Sequence, residues 1–378
     1  MKQTSKLIAA LGVLSCLIVA KAGAATQFTN EFWISTNTNT ANLGTLSDPY
    51  DGSTATKFDL VMTNMPASST IHILAGTYQT QGYLSGRSGW QAKSGQKILG
   101  SGMDATIIHL TTNSPGGTEI IENGATATNI EVCDLTIDDS GSPGTHGVTL
   151  FGTRHAIRRV KAVNFNCSSG GQVFPMQINS GTSPTSEGNI IEECEVSGFT
   201  GSGSVVAILI YGGATNYISG IIRHNRVFLS PASVSGVLLE SAYNCGYGYN
   251  VLIDGNYVNG AGFGLWTATL NTNLTVVHNT FKNCDYGMVL QNTVQKNIIF
   301  SHNTIALANE TSIATYGCFF DSNTSFTNAV ITGNTYQYDT SPGTVASYSI
   351  SAANVSGLVM CNNSIDSRMT NAFTGCTG

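Results

Sequence analysis

The chain has 378 residues, of which only 10% are charged and 42 are glycine, and its formal net charge is −6 at pH 7. This composition excludes a coiled coil and a disordered chain, because both are far richer in charged residues. It also argues against a nucleic-acid partner, whose phosphates are neutralised by clustered Lys and Arg. A chain rich in Gly, Asn, Ser and Thr is typical of strands joined by turns.

The first 24 residues have the pattern of a secretory signal peptide. Lys2 and Lys6 precede an apolar run, and Ala20, Ala22 and Ala24 fit a small-residue cleavage signal. We therefore expect residues 1–24 to be removed and the mature protein, residues 25–378, to be secreted or periplasmic. The apolar run is too short for a confident membrane span, and no later segment approaches 18 uninterrupted apolar residues. No membrane partner is expected.

One of the nine cysteines lies in this leader, so eight remain in the mature chain. An even number in an exported protein permits disulfides. Cys245 with Cys284 and Cys361 with Cys376 are candidate pairs, and buried unpaired thiols are an equal alternative. No cysteine or histidine spacing has the form of a metal site, so no metal ligand is assigned.

A short asparagine pattern repeats through the second half of the chain. Its members are Asn225, Asn256, Asn279, Asn303, Asn334 and Asn363, in segments such as IDGNYV and FSHNTI. The separations of 31, 23, 24, 31 and 29 residues are too irregular for a helical repeat but fit coils with loops of variable length. An asparagine amide bonds along such a stack, and asparagine tolerates left-handed backbone angles. Cys194, Val160 and Leu135 continue the same register towards the N-terminus.

A second strand follows each of these turns, usually after a glycine. The segments are GVTLF, PMQIN, AILIY, GVLLE, GLWTA, GMVLQ and GCFFD. Their period-2 alternation places one set of side chains in the core and the other set outside. The predicted core positions are Val148, Leu150, Met176, Ile178, Ile208, Ile210, Val237, Leu239, Met288, Leu290, Cys318 and Phe320. Such coils form one continuous parallel β structure.

The chain resembles the right-handed parallel β-helix proteins of the pectate-lyase-like, or pectin lyase fold, superfamily. The opening of the mature chain is similar to that of many exported members of this group, through Gly44-Thr45, Pro49-Tyr50 and the strand from Thr70 to Tyr78. The resemblance implies an all-β solenoid with an N-terminal helix near residues 54–64 that caps the stack. Residues 25–80 are then the cap and first strand, and residues 97–378 are the coils of a single domain.

Most charged residues receive a structural explanation from the same alignment. Arg158, Glu192, Arg223 and Asp254 form one file, and Asp134, Arg159, Glu193 and His224 form the next, with alternating signs. A third file holds Lys161, Glu195 and Arg226. The acidic segment EECE is the only candidate for a calcium site, and its place between basic files favours ion pairs over calcium. No cofactor is certain.

The outward positions of the second strand are more informative about function. They include aromatic, amide and carboxylate side chains, an unusual mixture for plain solvated surface. Aromatic faces stack on sugar rings, while amides and carboxylates bond to hydroxyl groups. The predicted partner is therefore a polysaccharide, and in the superfamily this strip hosts the substrate groove. The predicted binding residues are Phe151, Gln177, Asn179, Trp266, Gln291, Phe319 and Asp321. A loop that covers these aromatic residues is the alternative.

Catalytic residues are harder to assign. The best local candidates for a catalytic base, a catalytic acid or a group that neutralises a substrate carboxylate are Arg154 and His155, at the edge of the GVTLF strand, and Tyr211 and Glu240, on later coils. Glu240 and Asp321 lie three coils apart, too far for a two-carboxylate hydrolase. Asp138-Asp139 and His146-Gly147 resemble a hydrolase motif of the superfamily, but a turn in Asp-Asp-Ser-Gly explains the aspartates. The superfamily's strong lyase signatures are missing.

Three hypotheses follow. The leading one is a polysaccharide lyase that cleaves an acidic glycan by β-elimination, for which Arg154 or a bound cation such as calcium supplies positive charge against the chain's net negative charge. The second is a glycoside hydrolase acting on a neutral polysaccharide. The third is a non-catalytic carbohydrate-binding or surface β-helix protein.

Overall fold

The computed structural model describes residues 30–373, except 38–40, 87–88, 113, 168–170, 202, 230–238, 268, 292–293, 309–313, 322–324, 341–345 and 354. The predicted signal peptide, Val237 and Cys376 lie outside the described residues. Within the described residues, no helix is long and apolar enough to cross a membrane.

An α-helix, α1 (Ala55–Asn64), lies where the sequence predicts the cap. Thr54 begins it, because its side chain accepts a hydrogen bond from the main-chain N–H of Lys57. Phe58 and Met62 are buried on one side of the helix. The ring of Phe58 packs 5.4 Å from that of Tyr78 and 6.2 Å from that of Trp90. The helix thus shields the apolar interior at the N-terminal end of the stack.

The strands occur in chain order along the whole described region. The first sixteen are β1 (Asn30–Ser35), β2 (Tyr50–Asp51), β3 (Ser69–Ile73), β4 (Gly76–Thr80), β5 (Lys97–Leu99), β6 (Thr106–Leu110), β7 (Glu119–Glu122), β8 (Glu131–Asp138), β9 (His146–Phe151), β10 (Ala156–Val163), β11 (Phe165–Asn166), β12 (Gln172–Val173), β13 (Met176–Asn179), β14 (Thr185–Glu192), β15 (Glu195–Val196) and β16 (Phe199–Thr200). The remainder are β17 (Ser204–Tyr211), β18 (Tyr217–Arg223), β19 (Arg226–Phe228), β20 (Leu239–Gly246), β21 (Gly248–Asp254), β22 (Tyr257–Thr267), β23 (Asn271–Val277), β24 (Thr280–Leu290), β25 (Gln295–Ser301), β26 (Thr304–Leu307), β27 (Thr315–Phe320), β28 (Phe326–Thr332), β29 (Thr335–Tyr338), β30 (Ser347–Ala352), β31 (Val355–Cys361), β32 (Ser364–Ile365) and β33 (Thr370–Phe373).

These strands stack as a parallel β-helix, as the sequence predicts, and the helix has three faces. The first face runs from β3 and β5 through β8, β10, β14, β18, β21, β23, β25 and β28 to β31. The second face, beyond the asparagine turn, includes β15, β19, β26, β29 and β32. The third face contains β7, β9, β13, β17, β20, β27 and β30, and the later parts of β22 and β24.

The predicted asparagine column is a hydrogen-bonded ladder. The main-chain N–H of Asn256 donates to Oδ1 of Asn279 at 2.9 Å, and the Nδ2 of Asn256 donates to the same oxygen at 2.9 Å. Asn279 repeats both bonds to Asn303. The ladder begins at Cys194, whose main-chain N–H donates to Asn225. Because these amides are buried, each bond satisfies a group that would otherwise cost free energy in the interior.

The left-handed position of each turn is one residue earlier than the asparagine argument predicts. His224, His278 and His302 have φ of 54°, 55° and 54°, and each directly precedes a ladder asparagine. Gly255 and Gly333 occupy the same position on neighbouring coils with φ of 62° and 67°. The ladder asparagines themselves are not left-handed, because their side chains must point inward to bond along the stack. Their backbone tolerance is therefore not what selects them.

The charge files are confirmed as stacks of ion pairs between neighbouring coils. Glu192 contacts both Arg158 and Arg223 at 2.6 Å, and Arg159 bonds to Asp134 through two nitrogens. Glu195 lies 3.6 Å from Lys161. The glutamates of EECE are thus held by basic neighbours. In the described part of the chain, no group of three or more His, Cys, Asp or Glu side chains is arranged to hold a metal ion.

The buried-thiol alternative holds for the first cysteine pair. Cys245 and Cys284 are both buried and unpaired, on strands that lie two coils apart. Burial raises the pKa of each thiol to about 12, so neither is a ready nucleophile. The Sγ of Cys245 instead donates to Oδ1 of Asn271 at 3.1 Å.

Candidate functional site

The outward side chains of the third face form a strip that follows the stack axis. One column of this strip, which we call the central column, is in continuous register from coil to coil. Its members are Glu122, Thr149, Gln177, Leu209, Asn244, Trp266, Val289 and Phe319. Successive members are about 4.8 Å apart because they occupy neighbouring parallel strands. The column is acidic and polar at its N-terminal end and apolar at the other.

A second outward column, which we call the flank column, lies three residues earlier on each coil. It holds Glu119 and His146 at the N-terminal end, and Phe263, Tyr286, Tyr316 and Tyr348 further along. This column is not among the positions predicted from the sequence. Strict period-2 alternation places it inside, but a corner at the next residue reverses the direction of the side chain. Gly264, Gly287 and Gly317 occupy that corner.

On these three coils the corner leaves little room for a side chain. A Cβ at Gly317 would lie 2.3 Å from the ring of Tyr336, and a Cβ at Gly264 would lie 2.4 Å from the ring of Phe281. Gly287 and Gly317 directly precede the inward residues Met288 and Cys318, so the glycine and the residue after it both face inward. The residue before the glycine therefore faces outward. This glycine spacing is the sequence signal that could have revealed the flank column.

A groove of about 360 Å³ lies between the two ends of the strip. It gathers four of the residues predicted from the sequence: Gln177, Asn179, Tyr211 and Trp266. The rest of its lining is not among the predicted site residues and consists of Gln172, Phe174, Leu209, Asn244 and Thr269. No Lys or Arg is among the described residues that line this groove.

Hydrogen bonds fix the polar side chains of the groove. Nε2 of Gln177 donates to Oγ1 of Thr149 at 2.8 Å, and Nδ2 of Asn179 donates to Oε1 of Gln177 at 2.9 Å. Nε1 of Trp266 donates to Oε1 of Gln291 at 2.9 Å. These bonds hold the amides and the indole in defined orientations before any ligand arrives, which lowers the entropic cost of binding.

Two carboxyl groups lie at the N-terminal end of the strip, where the sequence analysis placed no site residue. Glu119 and Glu122 are the first and last residues of β7, and both are partly buried. Burial raises the pKa of Glu119 to about 7, with a further contribution from the charge of Glu122. Burial likewise raises the pKa of Glu122 to about 7, although a hydrogen bond from Gln91 opposes the rise. Near neutral pH both groups exchange protons readily.

His146 lies beside Glu119 in the register of the flank column. Its ring packs 5.2 Å from that of Phe174, and its Nδ1 accepts a hydrogen bond from the main-chain N–H of Phe174 at 3.1 Å. Burial lowers the pKa of His146 to about 4, so the ring is neutral at physiological pH. With Nδ1 as acceptor, the neutral ring carries its hydrogen on Nε2 and is a hydrogen-bond donor there.

A second cavity, of about 540 Å³, lies beside the end of α1 at the N-terminal end of the stack. Gln91 lines it, and Nε2 of Gln91 donates to Oε1 of Glu122 at 3.2 Å. The rest of its lining is Thr63, Ala67, Gly89, Ala92, Lys93, Ser94, Gly124, Thr126 and Ala127. Lys93 is bound to the end of the cap, because its Nζ donates to the carbonyl oxygens of Thr63 and Met65.

The C-terminal half of the strip is an aromatic ladder, formed by Phe263, Tyr286, Tyr316, Tyr348 and Phe319. The ring of Tyr316 stacks 5.3 Å from that of Tyr286 and 5.0 Å from that of Tyr348, with interplanar angles of 15° and 12°. Phe319 packs 4.9 Å from Tyr316. Since the ring faces of Tyr316 are taken up by its neighbours, a sugar ring meets only edges and hydroxyl groups here. Phe319, a predicted binding residue, belongs to this ladder.

The four predicted catalytic residues do not meet. His155 is fully buried, its Nδ1 accepts from the N–H of Ile130, and its Nε2 lies 3.0 Å from the carbonyl oxygen of Phe151. Both ring nitrogens are therefore used by the main chain, which corrects the expected exposure at the strand edge. Arg154 is exposed on the following turn, with φ of 58°. Only Tyr211 lines the groove.

Glu240 is displaced from its predicted position by a register difference. The residue that pairs with Tyr211 is Gly246, whereas Glu240 pairs with Val205, six residues earlier along the strand. Leu239, predicted to align with Ile210, pairs with Ser204. The segment GVLLE is thus not the equivalent of AILIY, because the true second strand of this coil continues into Ala242-Tyr243-Asn244. Six residues of strand correspond to roughly 20 Å, which removes Glu240 from the neighbourhood of Tyr211.

The remaining predicted residues lie along the edge of the strip. Phe151 is in register with Asn179, which is in register with Tyr211. Gln291 holds the indole of Trp266, and Asp321 is partly buried on a later coil, where its main-chain N–H donates to Leu290. These two residues therefore lie beyond the groove lining.

The aspartate pair of the turn has the structural role that the sequence favours. Asp139 is fully buried and accepts hydrogen bonds from Oγ1 of Thr145 and the main-chain N–H of Asn166. Asp138 lies 3.0 Å from Nδ1 of His109. Burial raises the pKa of Asp139 to about 8. Neither aspartate lies on the strip.

Comparison with solved structures gives the fold a context. The chain is 11% identical to the Streptococcus pneumoniae surface protein and adhesin PfbA, with a TM-score of 0.54 over 81% of this chain and 91% of that one. It is 10% identical to a family 28 exopolygalacturonase of Yersinia enterocolitica, with a TM-score of 0.51 over 92% of this chain and 78% of the other. The chain therefore has the right-handed parallel β-helix fold of these proteins.

A third similar structure is the GH136 lacto-N-biosidase from Eubacterium ramulus, at 10% identity and a TM-score of 0.52, covering 89% of this chain and 67% of that one. No protein-family profile matches the chain, and no curated protein sequence matches it. At such low identity the shared feature is the fold, and the chemistry must be argued from the side chains of this β-helix.

Proposed function

We propose that this protein is an exported, polysaccharide-active β-helix protein that binds an extended glycan along the third face. The observation that carries the proposal is the groove, in which the fixed amides of Gln177 and Asn179, the hydroxyl of Tyr211 and the indole of Trp266 converge. Amides and hydroxyls match sugar hydroxyl groups, and an indole supplies a large apolar surface. The alignment of these residues along the stack suits a linear chain of sugars.

Among the catalytic alternatives, hydrolysis of a neutral glycan fits the groove better than β-elimination. A lyase needs positive charge against the uronate carboxylate, and none of the described residues that line the groove is cationic. The residues expected to serve a lyase are separated, with His155 buried and Glu240 out of register. The hydrolase hypothesis instead requires two carboxyl groups, and Glu119 and Glu122 lie on the same strip.

The similar structures are compatible with either an enzyme or a binder. Two of them are named as an exopolygalacturonase and a lacto-N-biosidase, which are carbohydrate-active by name, and the third is named as an adhesin. Binding in the groove is therefore the part of the function that should be tested first, separately from cleavage.

The test is a binding screen with a matched pair of variants. The mature protein is run through gels that contain neutral or acidic polysaccharides, with calcium or with chelator, and retardation gives the affinity. Ultraviolet absorbance of unsaturated products and release of reducing ends are followed in parallel. We expect retardation by a neutral polysaccharide, and Trp266→Ala to weaken it about tenfold, a loss of about 1.4 kcal/mol.

Phe319→Ala is the control, because Phe319 lies two coils further along the same central column but belongs to the aromatic ladder. It should leave the affinity within twofold of the wild type. Equal losses for the two variants, or no retardation by any polysaccharide, would contradict binding in the groove. New ultraviolet absorbance from an acidic polymer would instead favour the lyase.

A further inference from the structure

We propose that Glu119 and Glu122 are the catalytic acid and base of a glycoside-hydrolysing site at the N-terminal end of the strip. This inference rests on the proposed binding of a polysaccharide to the third face. It assigns a role to residues that lie outside the groove and that the sequence motifs did not indicate.

The position of the pair relative to the two cavities is the first argument. Glu122 is linked through Thr149 to Gln177 of the groove, two coils or about 9.6 Å away along the central column. On its other side Glu122 is bonded to Gln91, which lines the second cavity. A glycan that extends from the groove along the central column towards the N-terminus would reach Glu122 after two coils.

The spacing of the pair is the second argument. Glu119 and Glu122 are three residues apart on one strand, so their Cα atoms are separated by at most about 10 Å. Both side chains leave the strand on the outward side of the corner, in the flank and central columns. Two carboxyl groups that flank a glycosidic bond at about 5–9.5 Å are the arrangement required for hydrolysis.

The contacts of the two groups differ, although burial raises the pKa of both to about 7. Glu122 accepts a hydrogen bond from Nε2 of Gln91, which favours its ionised form. Glu119 is partly buried, and the charge of Glu122 raises its pKa further, which favours the protonated form. The neutral ring of His146, beside Glu119, offers a donor rather than a second charge. We therefore assign Glu119 as the acid and Glu122 as the base.

The reaction balances with water as the only co-reactant. Glu119 donates its proton to the glycosidic oxygen as the bond between that oxygen and the anomeric carbon breaks. Glu122 removes a proton from a water molecule whose oxygen forms the new bond to the anomeric carbon. Two hydroxyl-terminated fragments result, one of them with a reducing end, and exchange of a proton with solvent returns both carboxyl groups to their starting states.

The experiment compares cleavage with binding in Glu119→Gln and Glu122→Gln, using the polysaccharide that retards the wild-type protein most. Release of reducing ends gives kcat, and gel retardation gives affinity. We expect each substitution to lower kcat at least 100-fold while the affinity stays within threefold of the wild type. Glu187→Gln is the control, because Glu187 is an exposed acid on the first face, and it should leave both quantities unchanged.

The pH profile separates a catalytic role from a structural one. The wild-type rate should pass through a maximum near pH 7, because Glu119 loses its proton at higher pH and Glu122 gains one at lower pH. The residual rate of Glu119→Gln should lack the fall at high pH, and the thermal unfolding of both Gln variants should remain cooperative.

Four outcomes decide the inference. A large loss of kcat with retained binding supports it. Wild-type cleavage that survives either substitution overturns it and leaves the proposed binding intact. Wild-type binding without any release of reducing ends also overturns it and favours a binder. If no polysaccharide is bound, both the proposed function and this inference fail.

Discussion

The two halves of the outer strip use the same backbone for different purposes. In the N-terminal half, Glu119, Glu122 and Gln177 are amide or carboxyl groups that are partly or largely buried beside open cavities. In the C-terminal half, Tyr286, Tyr316 and their neighbours stack on one another at about 5 Å. Both halves are outward and both are in register, so position on the face does not distinguish them. What distinguishes them is whether the side chains stack face to face on their neighbours.

This difference limits what an exposed aromatic residue implies. A ring with both faces stacked has already gained its favourable contacts, and it stabilises the solenoid rather than a ligand. Trp266 lies at the boundary, since its ring packs 6.1 Å from Phe263 on one side and borders the groove on the other. The interpretation that assigns binding to the N-terminal half and stability to the C-terminal half makes three further predictions.

The largest expected effect is the loss of stability in Tyr316→Ala. This substitution removes the central ring of the aromatic ladder and its contacts with Tyr286, Tyr348 and Phe319. We expect the free energy of unfolding to fall by about 2 kcal/mol, while the affinity for polysaccharide is unchanged. Urea unfolding and gel retardation measure the two quantities. A loss of affinity without a loss of stability would reverse the assignment of the two halves.

A smaller effect is expected for Thr149→Val in the N-terminal half. Thr149 is fully buried, and its Oγ1 accepts the hydrogen bond that orients Gln177. Valine keeps the shape but leaves Nε2 of Gln177 without this acceptor, at a cost of about 1 kcal/mol in stability. Because Gln177 lines the groove, the affinity should also fall, and Thr149→Ser is the control that restores the acceptor. Unfolding and binding of the three proteins can be compared at one pH.

The smallest effect concerns the pH dependence of stability. The pKa of Glu119 and of Glu122 is about 7 in the folded protein, above the ordinary value of 4.5. The folded state therefore holds more protons than the unfolded state between these values, and stability falls as pH rises from about 4.5 to 7.

The double variant Glu119→Gln/Glu122→Gln should lack this fall. Solvent screening of partly exposed groups reduces the difference to about 0.5 kcal/mol. Urea midpoints at pH 4.5 and pH 8 measure it, with wild type and variant compared at each pH. A wild-type midpoint that rises over this range relative to the variant would show that the two carboxyl groups are not buried as described.

The sequence predicts the scaffold well because the scaffold repeats. The asparagine ladder, the alternating charge files and the capping helix each rest on local patterns that recur or match the superfamily, and each is confirmed. The groove residues Gln177 and Asn179 follow from the same alternation. Because the same pattern recurs in several coils, each coil separately indicates the register of the strands.

The positions of the site residues are less predictable, because they depend on the coils that depart from the repeating sequence pattern. The glycine corner reverses one side-chain direction and hides the flank column from a period-2 analysis. The shift at Glu240 arises because the coil after residue 229 has a different length, and sequence spacing alone does not locate its strand. His155 is adjacent to the right strand, yet its burial depends on Ile130 from the preceding coil. Of these three facts, only the glycine corner leaves a signal in neighbouring residues of the chain.

The asparagine ladder also determines how the number of coils can change during evolution. Since each coil from Asn225 onwards contributes one rung, whole coils are the natural units of gain or loss, and the loops between rungs absorb differences in length. Duplication of one coil between Thr149 and Gln177 would move the carboxyl pair away from the groove by a single step of about 4.8 Å, with the interior still closed. The distance between two sites along the solenoid therefore changes only in whole steps of one coil.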